Sequence, residues 1–362
     1  MKVCHITSGH SPRDGRIFEK MIMSLSTKYE VVEIAPNTAD LVVNNIQIYG
    51  VSISDNKIKK LLEINRFFKK AIKINADIYH IHEPELIPVA LKLKKQGKRI
   101  IYDSHEDTPM QILGMQWIPK IFRNMISYLF THYEEKKIPQ FDAVVSVTPN
   151  IVNRLRNYNA NTYMITNYPI VNEYQDNRRW GKCVSFAGGI SSQWMHNKIL
   201  DAIAKTDARY ILAGRYSEEY LDKLKSHDEW SNVIFKGLLP FSSIMNMIQE
   251  SSAGMALNDY VANVGFHEGS LGNTKLFEYM LAGVPVIATD FVLWKEIITR
   301  HQCGICVNPH DEDQIAEAIL FYVNNRDIAK QHGDNGRRAI LNEYNWKTQE
   351  IILFEMYKKL EI

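Results

Sequence analysis

Residues 267 to 289 read HEGSLGNTKLFEYMLAGVPVIAT, placing Gly269 and Gly272 ahead of a helical run that carries Lys275 and Glu278 and stops at Gly283. Glycines let a backbone turn and come close to a ligand, and Asn273 or Thr274 is a suitable cap for a helix with outward-facing amides. Helix N-termini favour anions through unpaired N–H groups and the dipole, and Lys275 adds a full charge. The pattern predicts a seat for a diphosphate. Glu278, one turn in, could accept hydrogen bonds from two vicinal hydroxyls such as those of a ribose, although the dipole alone also stabilises a carboxylate there. No GxGxxG follows the first strand and no GxxxxGK[ST] occurs. A dehydrogenase or a P-loop ATPase would therefore lack its usual phosphate loop.

Other residues could do chemistry, each with a plainer alternative. His105 stands in DSHED among Asp103, Glu106 and Asp107 at the end of a strand-like run. It is either a functional imidazole or a hydrogen-bonded structural one. In SGHSPRDGRIFEK, Gly9 makes a turn, and Asp14 and Arg16 open a helix. Asp14 could orient a hydroxyl or a neighbouring cation, or simply cap the helix. Cys303 and Cys306 form a CxxC without a second copy, so zinc would have to recruit His301 or His310. No metal is expected; two small apolar residues around a turn explain the pair.

These residues need elements to hold them, and the chain's 362 residues suit two domains rather than one. A hydrophobic fraction of 45% with 23% charged is globular, and a net charge of +2 offers no bulk attraction for nucleic acid. Strand-like runs alternate with helical ones, the signature of parallel sheets covered by helices. In the first half they fall at 2–7, 30–35, 77–82, 99–103 and 142–147. The pattern restarts with KCVSFAGG, ARYILAG, NVIFKG, SAGMAL and VPVIAT after a polar linker at 165–182. The expected domains are 1–168, with helix 346–362 crossing back onto it, and 178–340. A ligand would lie at the carboxyl ends of the strands, in the cleft between the two sheets.

No secretory leader or membrane span is evident, and four cysteines fit reduced thiols, so a cytosolic location is expected. One stretch departs from the balanced charge. Residues 56–75 carry seven Lys or Arg against one Glu, a local +6, with Ile58, Leu61, Leu62, Phe68, Ala71 and Ile72 at helical spacing. Such a helix either lies on an anionic membrane surface or packs its stripe on the sheet and solvates its lysines. Residues 114–130, GMQWIPKIFRNMISYLF, are also apolar at helical spacing. They could line a lipid-facing acceptor groove, but a core stripe is the commoner reading.

NTKLFEYMLAGVPVIATDFVLWKEII, followed by CGICVNPHDEDQIAEAI, resembles the nucleotide-sugar-binding half of family-four glycosyltransferases. Agreement continues in order through DGRIFEK, DIYHIHEPELIPVALKLK, IIYDSHED, VSVTPNIVNRL, ITNYP and VSFAGGIS. The resemblance implies an α/β chain of the GT-B fold, with two Rossmann-like domains facing each other across a cleft. It also implies transfer of a sugar from a nucleoside diphosphate sugar to a glycan or lipid-linked acceptor. The reaction would proceed with retention, without metal or cofactor, in surface polysaccharide biosynthesis, in the cytoplasm or on the inner membrane face.

By position, the resemblance makes Glu278 the ribose ligand. It places Gly189, Ser270, Leu271, Gly272, Asn273, Thr274 and Lys275 around the donor. His105 faces the donor sugar, and Gly9, Asp14, Arg16 and Glu106 lie on the acceptor side. Two features depart from the family pattern. Many members have a glutamate where Ser270 stands, and Glu268 is two residues early. After FAGGIS the usual Arg, or Arg and Lys, is replaced by SQWMHNK, which leaves Lys198 as the nearest cation, His196 as a second candidate and Lys275 to share the task. A chain lacking every such donor should be slow or inactive. The alternatives are a non-catalytic GT-B partner subunit and a sugar-nucleotide epimerase.

Overall fold

The computed structural model describes residues 1–115, 117–171 and 175–361, without the side chains of residues 57, 58, 241 and 242. Ile58 of the basic stripe, residues 172–174 of the expected linker, Gln116 and Ile362 therefore lie outside what is described. The chain forms two units, one of Met1–Asn167 with Trp346–Ile362, the other of Tyr168–Asn345.

The first unit is built on eight strands: β1 (Lys2–Ile6), β2 (Glu30–Pro36), β3 (Leu41–Val43), β4 (Ile46–Val51), β5 (Ile78–Ile81), β6 (Arg99–Ser104), β7 (Ala143–Ser146) and β8 (Thr162–Met164). Their order is β3-β4-β2-β1-β5-β6-β7-β8, with every pairing parallel except β3 with β4. Parallel sheets need cover on both faces, so their strands are apolar throughout. Both faces are covered here. Phe67, Ala71, Leu93, Tyr133 and Ile138 pack on one face, and Ile17, Phe18, Met21, Trp346 and Met356 on the other. The helix Trp346–Lys359 is pinned to this unit, its Trp346 indole donating to Ser24 Oγ at 2.9 Å.

The second unit carries β9 (Gly181–Ala187), β10 (Arg209–Ala213), β11 (Val233–Gly237), β12 (Ser251–Ala256), β13 (Val286–Thr289) and β14 (Gly304–Val307). The order is β11-β10-β9-β12-β13-β14, all parallel. Each unit thus has one switch point, where successive strands leave the first strand in opposite directions. These lie between β1 and β5 and between β9 and β12, and ligands of open α/β sheets collect beyond the carboxyl ends at such points.

Several expectations are corrected. β3, β4, β8 and β14 were not among the expected strands. The first two form a hairpin through Asn44 and Asn45, both at positive φ, as a tight two-residue turn requires. Segment 56–75 is two helices, Lys57–Glu63 and Asn65–Ile74, and the side chains it commits most fully to the core are Phe67 and Ala71. Leu61, Leu62 and Ile72 are exposed instead. The CxxC gathers no metal-ligand set among the described residues. Both thiols are pushed up to about 12 by burial, His301 lies against Tyr344 and Glu343, and His310 against Asp259. Among the described residues, no helix is long and apolar enough to cross a membrane.

Candidate active site

In the second unit the helix Lys275–Ala282 starts at the switch point. Gly254 on β12 lets it sit flush, since a Cβ there would lie 2.3 Å from the Tyr279 ring. Lys275 then reaches across the turn after β9, where a Cβ on Gly188 would come within 2.7 Å of its Cε. A Cβ on Gly189 would meet nothing within 4 Å, so that glycine borders open space. The result is an ammonium beside an accessible backbone turn at a helix start, a seat for an anion.

The loop before the helix is held by its own polar groups. Asn273 Oδ1 accepts from the Lys275 amide at 3.2 Å, and Ser270 Oγ accepts from the Gly272 amide at 3.1 Å. The Ser270 carbonyl accepts from the Trp294 indole at 3.0 Å, and Leu271 is buried in the core. Thr274 does not cap the helix but donates to Glu278 Oε1 at 2.7 Å, while Lys275 Nζ lies 2.6 Å from Glu278 Oε2. Lys275 and Glu278 therefore neutralise each other in the unliganded protein. A diphosphate would draw on that ammonium in competition with the carboxylate.

Lys198 and His196 are placed otherwise than the sequence reading had them. Lys198 Nζ is 3.1 Å from Glu312 and, one helical turn away, 3.4 Å from Asp201, so its charge is already matched. His196 is fully buried, with Nδ1 2.9 Å from the Tyr210 hydroxyl, and burial pushes its pKa down to about 3, so it is a neutral ring. The cation set against the glycine turn is Lys275. Asn258, beyond the end of β12, was not foreseen. It is fully buried and accepts from Gln193 at 3.2 Å, but its Nδ2 donor has no partner among the described residues. Its only sequence signal was its place just after the SAGMAL strand.

In the first unit the loops after β1, β5 and β6 meet because those strands are adjacent. Glu83 organises them. It accepts from Thr7 Oγ1 at 2.6 Å, from the Ser8 and Gly9 amides at 2.7 and 3.2 Å, and lies 2.7 Å from His10 Nδ1. Burial alone would raise Glu83, but His10 and Thr7 outweigh it and hold the carboxyl down at about 2. The bond to Glu83 raises His10 in turn. His10 packs edge-on to His105, their centroids 5.1 Å apart. Burial lowers His105 although Asp103 opposes it, and its Nδ1 is buried without a partner among the described residues. His10 and Glu83 had been given no role, although both lie in quoted motifs at strand carboxyl ends.

Three residues expected on the acceptor side have local partners of their own. Asp14 Oδ1 accepts from the Arg16 and Ile17 amides at 2.8 and 2.9 Å, which is the capping role. Arg16 is buried, bonded to both oxygens of Asp103 at 3.1 and 3.0 Å and to the Ile165 carbonyl at 2.8 Å. It therefore supports the site from beneath. Glu106 is exposed and accepts from Gln111. Deeper still, His5 Nδ1 lies 2.9 Å from His82 Nε2, and His80 Nδ1 lies 2.9 Å from the Tyr357 hydroxyl. Potential ligand atoms of these three histidines fall within 4.8 Å of one another, so the set has the donors for a transition ion. Burial keeps His5 and His80 well below the usual value and hence neutral.

Glu33 is fully buried on β2, and neither of its oxygens has a partner among the described residues. Burial, with Asp14 and Glu83 nearby, raises it to about 8. A carboxyl raised in this way contributes stability below its unfolded value near 4.5 and loses it as pH rises through about 8. Glu33→Gln, which mimics the neutral acid, should leave stability unchanged near pH 4 and increase it at pH 9 by on the order of 4 kcal/mol. Urea titrations at both pH values check this. Equal effects at the two would show that Glu33 ionises freely.

The fold agrees with comparisons to known proteins. Residues 23–167 match the family model "Glycosyltransferase Family 4", and residues 146–325 match "Glycosyl transferases group 1". The chain belongs to this family of GT-B glycosyltransferases. It is 22% identical over 142 residues to an uncharacterised glycosyltransferase of Methanocaldococcus jannaschii; the alignment covers 39% of this chain and 33% of that protein. Similar solved structures include sucrose-phosphate synthase of Thermosynechococcus elongatus, with a TM-score of 0.74 at 13% identity over 99% and 98% of the two chains. Anabaena HepE with UDP and glucose gives 0.73 at 12% over 99% and 100%, and a Rickettsia africae glycosyltransferase 0.71 at 14% over 99% and 98%.

Proposed function

We propose that this glycosyltransferase moves a sugar from a nucleoside diphosphate sugar to a glycan or lipid-linked saccharide in the assembly of a surface polysaccharide. In this reading the reaction proceeds with retention and without metal or cofactor, and the basic segment 56–75 meets an anionic membrane surface. The observation that carries the reading is Lys275, laid across Gly188 at the switch point with Glu278 one turn behind it. As the donor bond breaks, negative charge develops on the diphosphate, where Lys275 and the helix amides lower the barrier. The acceptor hydroxyl attacks from the same face, and the departing phosphate oxygen takes its proton. No separate general base is assigned. His105 is assigned to the donor sugar, with Gly9 held in place by Glu83 on the acceptor side.

A non-catalytic partner subunit is the second reading, favoured by Lys198 and Lys275 both being matched by carboxylates. Calorimetric titration with UDP, GDP, ADP, CDP and inorganic diphosphate, with a chelator present, begins to separate the two. One nucleotide should bind; UDP leads because HepE was solved with it. Glu278→Ala should weaken that nucleotide about tenfold to a hundredfold through lost hydroxyl contacts. It should leave inorganic diphosphate unweakened, because Lys275 is released. Loss of both ligands would contradict the ribose role. Binding of the nucleotide without acceptor-dependent turnover would favour the partner subunit.

A further inference from the structure

The helix Lys120–Lys137 is inside out. Its buried residues are Ser127, which donates to the Pro109 carbonyl at 2.8 Å, and Glu134, which is paired with Arg154 at 2.6 Å. Five of its apolar residues face solvent: Ile121 is 80% exposed, Tyr128 63%, Leu129 56%, Met125 52% and Phe122 44%, with Trp117 at 57% just before the helix, while Ile126, Phe130 and Tyr133 are half-buried. Positions 121, 125 and 128/129 recur at helical spacing, so these side chains share one face. Scattered exposed apolar residues are ordinary, but six within thirteen positions form a contiguous patch that marks an interaction surface.

The surrounding charge is mostly basic: Lys136 and Lys137 end the helix, and its exposed acid, Glu135, lies 3.0 Å from His132. No Asp or Glu occurs from Thr108 to Tyr133, whereas Lys120 and Arg123 flank the patch. Helix Asn65–Ile74 packs on the same face of the sheet, its Phe67 in one core layer with Tyr133 and Ile138. Beside it a shallow groove is lined by Ser52, Arg66, Lys69, Lys70 and Lys73, and the preceding helix, Lys57–Glu63, exposes Leu61 and Leu62.

We infer that the Trp117–Leu129 face is a docking surface for an anionic lipid bilayer. Ile121, Phe122, Met125 and Leu129 enter the acyl boundary, Trp117 and Tyr128 sit at headgroup level, and Lys120 with Arg123 meets the phosphates. A second copy of this chain is the less suitable occupant. Like patches facing each other would set Lys120, Arg123, Lys136 and Lys137 of each copy against one exposed acid per helix, Glu135, which His132 already meets at 3.0 Å. The inference extends the reading of a surface-acting transferase, yet its test needs neither nucleotide nor turnover, so either can fail alone.

The full chain is sedimented with vesicles of phosphatidylcholine alone and of an equal mixture with phosphatidylglycerol, at low and high salt. Binding is expected to the anionic vesicles and to fall as salt rises. Ile121→Glu with Met125→Glu should weaken it by about tenfold, with the thermal transition unchanged because both side chains are exposed. Lys69→Glu with Lys73→Glu should weaken it independently. Absence of binding at low salt, or equal binding by the Ile121/Met125 variant, would overturn the inference. So would a concentration-dependent dimer, seen by sedimentation velocity, that the double substitution abolishes.

Discussion

Lys275→Ala is expected to lower turnover by about 100-fold to 1,000-fold, the loss seen when one preorganised donor to a developing charge is removed. The structure concentrates that loss on one residue. Lys198 is already matched by Glu312 and Asp201, and His196 is a neutral ring in the core. Lys275 is spaced three residues from Glu278 and laid over Gly188, where a Cβ would come within 2.7 Å of its Cε. Its ammonium is held in place by Glu278 before any ligand arrives, and the diphosphate draws on it in competition with that carboxylate. The measurement is single-turnover sugar transfer with the donor whose nucleotide binds, for wild type, Lys275→Ala and Lys198→Ala. Lys198→Ala should stay within about fivefold of wild type, the reach of a surface ion pair worth about 0–1 kcal/mol. A larger loss at Lys198 than at Lys275 would return the leaving-group role to Lys198.

Asp103→Ala is expected to destabilise the first unit by about 3–5 kcal/mol, because it leaves a buried guanidinium without its partner. Arg16 is 7% exposed and Asp103 is fully buried, the pair is bidentate, and His82 Nδ1 approaches the same carboxylate at 3.3 Å. Burial would raise Asp103, but the Arg16 guanidinium holds it well below the usual carboxylate range. A depressed carboxyl contributes stability above its unfolded value and loses it as pH falls toward the folded one, so the deficit of Asp103→Ala should shrink in acid. Urea unfolding followed in both units at pH 7 and at about pH 2.5, below the unfolded carboxyl value, makes the check. The first unit's transition should move and the second unit's should not. A loss below about 1 kcal/mol would mean water already solvates Arg16.

The alternation of parallel strands and helices was legible because strands buried on both faces must be apolar along their length, as in SAGMAL and VPVIAT. The short strands were not. β8 spans three residues, too few to show a period, and the β3–β4 hairpin depends on two asparagines at positive φ. The loop around Lys275 and Glu278 was legible because its parts are adjacent in the chain. Glu83 was not, because its partners Thr7, Ser8, Gly9 and His10 lie 73 to 76 positions away.

Local periodicity and the composition of contiguous motifs thus determined the parallel α/β units and the glycine-rich loop that runs into the Lys275 helix, since both are short-range properties of the chain. Tertiary structure decided everything that depends on what a side chain meets. It joined Lys198 to Glu312, 114 positions away, placed Arg16 beneath the site against Asp103, and closed the first loop around Glu83. It also turned the apolar side of 117–129 toward solvent, which no periodicity reveals. A helical stripe states that one face differs from the other, and only packing against the rest of the chain selects which face is buried.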